Sequence, residues 1–128
     1  MKTNRLRIRS FVADDLDVIH RILDEAFAEG AETAVSQRKS WLQWSILNQH
    51  WFPQMHQPPY GDRAIVLQAT GALIGAIGYV PLLDVYDQIP ELRETPSSTP
   101  SGYATAEIGL FWAIDPRHQR QGYATEAA

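Results

Sequence analysis

The sequence predicts an α+β or α/β domain in which a mixed, mostly antiparallel sheet carries helices on its faces. Three observations point to that class. Apolar residues alternate with period two from Arg5 to Ser10. Asp62 to Val80 reads as two apolar strands joined at the turn pair Thr70-Gly71. Between these lie two stretches whose apolar residues recur at helical spacing.

In the first strand, Leu6 and Ile8, with Phe11 beyond, interleave with Arg5, Arg7 and Arg9, the pattern of a half-buried strand whose arginines are solvated. Asp14 then offers a side-chain oxygen to the orphan amides of a helix, and Asp15 and Asp17 put negative charge in its first turn. Leu16, Ile19, Leu23, Ala26 and Phe27 form its stripe, widened by Val18 and Ile22, and the helix should end near Gly30. A second helix is expected from Ser36 to about Trp51. Trp41, Trp44 and Leu47 lie on one side of it, with Leu42 and Ile46 beside them. Pro53, Pro58 and Pro59 should break the chain beyond it. The hairpin strands run from Asp62 to Ala69 and from Ala72 to Val80. Leu82 to Tyr103 contains Pro90, Pro96, Pro100 and the run Ser97-Ser98-Thr99, and reads as a long surface loop. Ala104 to Ile114 is an apolar strand that holds Glu107 and Gly109 and ends at Asp115-Pro116. Gly122 to Ala128 has the composition of a helix first turn.

The 128 residues suit one domain, 1–128, with room for one core. Hydrophobic residues are 45% and charged residues 20%, ordinary for a globular protein. The chain has no cysteine, which excludes a disulfide scaffold, a thiolate zinc site and a cysteine nucleophile. A net charge of −4 argues against nucleic acid as a partner. No apolar run reaches the ~20 residues needed to span a bilayer, and the N-terminus lacks a signal-peptide core. A cytoplasmic protein is the expectation. His20, His50 and His56 share no metal-ligand spacing, so no metal is assigned.

The chemistry concentrates after the last apolar strand. Gln119-Arg120-Gln121-Gly122-Tyr123-Ala124 turns from that strand into a helix start at a glycine. Amides at a helix start have no internal partner and carry the positive end of the helix dipole, so a pyrophosphate suits them. Gly122 has no Cβ to hold a phosphate away, Ala124 is small, Thr125 adds a hydroxyl, and Arg117 and Arg120 add positive charge. Neither a Walker loop nor a dinucleotide fingerprint is present. By itself the segment could equally be a plain strand–loop–helix connection.

Ala106 to Pro116, the loop, and Gly122 to Ala127 together resemble the GNAT superfamily of N-acetyltransferases, most nearly its branch that acetylates ribosomal-protein N-termini and related amines. Gln119, Gly122 and Ala124 fill that family's [Gln/Arg]-x-x-Gly-x-[Gly/Ala] motif. Arg5 to Arg9 followed by Asp14-Asp15 resembles its first strand and helix. The resemblance runs along the chain in order, but its specific part is Ala106 to Ala127.

The resemblance implies an enzyme that moves an acetyl group from acetyl-CoA to a primary amine by direct attack. Backbone groups of Trp112, Ala113 and Ile114 would pair with the pantetheine arm. Amides of Arg120, Gln121, Gly122, Tyr123, Ala124 and Thr125 would hold the pyrophosphate. It also implies a further half, so this sequence is expected to be the front part of such a domain. The acceptor stays open among peptide N-terminus, polyamine, aminoglycoside and small amine, and a homodimer is possible. Two alternatives remain: a non-catalytic CoA-binding or dimerising remnant, and a small domain with no CoA site.

Glu107 is the candidate general base, because a carboxylate inside an apolar strand is costly unless it faces water or a partner. The alternative is an outward-facing Glu paired with an arginine. His118 reads as a solvated loop histidine. Trp41, Trp44, Trp51 and Phe52 read as core packing, or else as a wall of the acceptor pocket. Tyr123 reads as loop packing, and Glu126 as first-turn helix charge.

Overall fold

In the computed structural model, residues 1–27, 33–58, 60–83, 88–92 and 106–128 are described. Four strands form one sheet in the order β1 (Leu6–Arg9), β2 (Gly61–Leu67), β3 (Leu73–Leu83), β4 (Ala106–Ile114), and every neighbouring pair is antiparallel. The expected mixed, mostly antiparallel sheet with helices on its faces is borne out, as an antiparallel meander among the described strands. Helices α1 (Leu16–Ala26) and α2 (Val35–Gln54) pack on one face, and the short α3 (Tyr123–Ala127) on the other.

Side chains on a strand alternate between faces, and that alternation divides the core in two. On the α1 side, Phe11, Ile19, Ile22, Leu23, Leu42, Ala64, Val66, Ala76 and Ala113 are buried together. On the α3 side, Leu6, Ile8, Ile65, Ile74, Ile77 and Ile114 pack with Ala127. The period-two reading of β1 holds, with Leu6 and Ile8 buried and Arg7 exposed. Its arginines are a different matter. Arg9 makes a bidentate pair with Asp15, both nitrogens at 2.7 Å. Asp15 also accepts the Val12 amide at 2.9 Å. Asp15, not Asp14, thus fixes how the chain enters α1. Burial pushes the Asp15 carboxyl up, but Arg9 and the Val12 amide outweigh it and hold the pKa below the usual range.

The second helix runs past Pro53 to Gln54. A proline forfeits one intrahelical bond. Here it lies in the last turn, which still closes through the Met55 amide on Trp51 O at 3.1 Å. Trp41 meets Phe11 edge-on, centroids 5.4 Å apart, and joins the core. Trp44 and Trp51 are half exposed, beside exposed Leu47 and Met55, so the core-packing reading holds for Trp41 and fails for those two.

The hairpin turns at Gly71, whose φ of 74° is left-handed and suits glycine. Strand β3 continues through Leu82 and Leu83, which were expected to begin the loop, because β4 pairs with it along its whole length, out to Leu83 opposite Ala106. Within the rest of that loop, Pro90–Leu92 form a 3-10 turn, and residues 84–87 and 93–105 lie outside the described residues. The expected end of α1 near Gly30 and the expected start of β4 at Ala104 also lie outside them. Among the described residues no helix is long and apolar enough to cross a membrane.

Candidate functional site

Strand β4 is one edge of the sheet among the described residues. The Asp115 amide donates to Ile74 O at 2.8 Å, which fixes the alternation of the ladder just upstream. Antiparallel residues take turns facing the partner strand. Ala113 therefore spends its backbone groups on β3, and Trp112 and Ile114 turn theirs to the free edge. Of the three residues expected to pair with an extended arm, these two can do so, and Ala113 can offer only its surface. The Ile114 carbonyl already accepts from Gln119 Nε2 at 3.1 Å.

The turn after β4 is built on Asp115, whose side chain is 3% exposed. It accepts from the Arg117 amide at 3.0 Å and from Arg21 Nη2, on α1, at 2.7 Å. Its own carbonyl accepts the His118 amide at 2.7 Å. Burial pushes the Asp115 carboxyl up, yet the Arg21 guanidinium and the Arg117 amide prevail and hold it below the usual carboxylate range. The loop after this turn has left-handed backbone at Arg120 (φ 60°) and Gly122 (φ 77°). The left-handed form costs a non-glycine residue such as Arg120 roughly 1–2 kcal/mol. Backbone that alternates in hand turns successive N–H groups to one side, a concavity that suits anions.

A cleft of about 360 Å³ opens between this loop, the end of β4 and the end of α1. Trp112, Ala113, Ile114, Gln119, Arg120, Gly122, Tyr123, Ala124 and Thr125 line it, joined by Ala26, Phe27 and His118. The residues read from the sequence as cofactor-holding thus come together around one cavity, with Gln121 outside it. Glu107 is also outside the lining. It is half buried on β4 opposite Leu82, five residues before Trp112 and so roughly 17 Å up the strand. Gly109 and Phe111 share its face of the sheet by alternation. Phe111 stacks on Phe27, which lines the cleft, with centroids 5.9 Å apart. His118 is less solvated than expected, its Nδ1 buried without a hydrogen bond and 3.8 Å from Asp115 Oδ2. Among the described residues no group of three or more His, Asp or Glu could hold a metal ion.

Sequence reasoning misses the supports of this loop. Asp115 reads there only as a strand end, although an Asp before a proline is a common turn-former. Arg5 reads as solvated and Glu126 as helix charge, yet Arg5 Nε donates to Glu126 Oε2 at 2.6 Å. No local pattern encodes a partner more than a hundred residues away.

Replacing Asp115 with alanine is expected to cost about 2 kcal/mol, below the 3–5 kcal/mol of a fully buried pair, because Arg21 is partly exposed and keeps Glu25 as a partner. Denaturant unfolding measures the loss. The depressed carboxyls of Asp115 and Asp15 also set an acid limit. Each binds protons more readily unfolded than folded, so its stabilisation is present above the unfolded pKa near ~4 and is lost as pH falls through the lower folded value. Unfolding midpoints should therefore drop from about pH 4 downward, less steeply in Asp115→Ala.

An acetyltransferase (GNAT) domain model matches residues 5–128. A solved acetyltransferase from Agrobacterium tumefaciens str. C58 superposes with a TM-score of 0.64 at 23% identity, covering 100% of this chain and 61% of that one. A GNAT-family acetyltransferase from Bacillus anthracis gives 0.55 at 20% identity, covering 99% and 60%. The chain thus spans about three fifths of the length of these structures, and at such identities the likeness speaks for the fold. No curated protein matches the chain.

Proposed function

The chain belongs to the GNAT acetyltransferase family, and on that premise we propose that it binds acetyl-CoA in the cleft at the end of β4 and transfers the acetyl group to a primary amine. One observation carries the proposal: the free edge of β4 at Trp112 and Ile114 runs directly into the left-handed loop at Arg120 and Gly122, and both border one cavity. An extended pantetheine arm would add to the edge as a strand does, and the pyrophosphate would take the loop amides, with the Arg120 charge nearby.

The amine nitrogen attacks the thioester carbonyl directly, the C–S bond breaks, and CoA leaves as a thiolate that takes up a proton. Glu107 removes the proton from the attacking nitrogen, through water where the two do not touch. Little else is asked of the chain than to place the two reactants and exclude competing geometry. The acceptor is a peptide N-terminus, as on a ribosomal protein, or a small amine, and the setting is cytoplasmic.

Thiol release from acetyl-CoA with a panel of peptide and small amines tests this, together with thermal shift on adding CoA. Turnover with at least one amine is expected. CoA binding without turnover would leave a non-catalytic binding module, and the absence of any CoA-induced shift would remove the site altogether.

A further inference from the structure

Four contacts tie the segment just before β1 to the candidate pyrophosphate loop and to α3 behind it. Thr3 Oγ1 and the Arg5 amide donate to Glu126 Oε1 at 2.6 and 2.8 Å. Arg5 Nε donates to Glu126 Oε2 at 2.6 Å, and Arg5 Nη1 donates to the Gln121 carbonyl at 3.0 Å. The guanidinium also lies 4.4 Å from the Tyr123 ring centroid. Its position is held from behind, where the Gln68 amide donates to Arg5 O at 2.8 Å and Gln68 Nε2 to Thr3 O at 2.6 Å.

The Gln121 carbonyl matters most. The Gln121–Gly122 peptide is trans, so its C=O and N–H point in opposite directions. A guanidinium that holds the carbonyl on one side thereby aims the Gly122 N–H at the other. Gly122 borders the cleft on that other side, while a Cβ built on it would point at Arg5 Nη2, 3.5 Å away. Glu126 keeps the planar fork of Arg5 in the one orientation that reaches Gln121. Arg5 does not line the cleft and would touch no ligand there.

Resting on the coenzyme A reading of the cleft, we propose that Arg5, clamped by Glu126, is a positioning residue that orients the Gly122 amide toward the pyrophosphate. It acts through a peptide plane and distinguishes ligands by whether they carry that anion. S-acetyl-pantetheine shares the pantetheine arm of CoA but has no pyrophosphate, so the clamp should be silent toward it.

The test compares CoA and S-acetyl-pantetheine binding, by calorimetry for the first and NMR titration for the second, in the unaltered chain, Arg5→Met and Glu126→Gln. Arg5→Met is expected to raise the dissociation constant for CoA about tenfold and to leave that for S-acetyl-pantetheine unchanged. Arg5→Lys keeps the charge but not the fork, and should restore little. Glu126→Gln keeps acceptors for Thr3 and the Arg5 amide while loosening the guanidinium, so it should give a smaller loss of CoA affinity alone. It carries the comparison if Arg5→Met does not fold. Equal CoA affinity in folded variants, or equal losses for both ligands, would overturn the positioning role while the site stands. An unaltered chain that binds neither ligand would overturn the site and the clamp with it.

Discussion

Gly122→Val should weaken CoA binding by about 100-fold or more, a loss of roughly 2.7 kcal/mol. Space is not the reason. A Cβ at this position would meet its nearest neighbour, Arg5 Nη2, at 3.5 Å, an ordinary contact. The cause is the backbone: φ is 77°, and a β-branched residue there pays roughly 1–2 kcal/mol or leaves the left-handed region. If it leaves, the peptide before it turns, and the amides no longer converge on the cleft. If it stays, the loop survives strained, and the added branches press on Arg5 behind it. Gly122→Ala meets the same conformational cost without branching and should show a smaller loss. Calorimetric titration with CoA, with circular dichroism to show that the variant is folded, decides the matter. Affinity equal to that of the unaltered chain would refute the loop as the pyrophosphate site.

How much of this was legible in the sequence depends on the range over which each residue acts. Leu6 and Ile8 announce a strand because period two and burial are local properties of a pleated chain. Ile19, Ile22 and Leu23 announce α1 in the same way, and the loop glycine is visible because a left-handed turn has few alternatives. The failures are long-range. Asp14 and Asp15 are indistinguishable as caps until Arg9 selects one of them by geometry. Trp41 and Trp44 share a helix and a chemistry, but only Trp41 meets Phe11, so the tryptophan cluster divides between core and solvent. Leu82 and Leu83 belong to a strand because β4 offers partners, a fact held by residues some two dozen positions later. The candidate cleft shows the same split. Most residues that line it could be read from one contiguous segment, Trp112 to Thr125, joined by Ala26 and Phe27 from the end of α1, whereas of the residues that shape it, Arg5, Arg21 and Glu126 reach it from both ends of the chain and from α1.

Glu107→Gln is the sharper test of chemistry. It should lower kcat about 100-fold, within the usual range for losing a general base, and leave the KM for acetyl-CoA within about twofold, because such a base is needed only when the amine attacks. The geometry separates the two constants. Glu107 lies on the edge strand but outside the lining of the cleft, so the cofactor can dock without it. Glutamine keeps the size of the side chain and one acceptor oxygen, and removes its charge and its ability to take a proton. An unfolding midpoint close to that of the unaltered chain would show that the strand is intact. With that control, a hundredfold fall in kcat at constant KM assigns the proton to Glu107. An unchanged kcat would move the base elsewhere, or show that the amine arrives already deprotonated and the chain contributes only its placement.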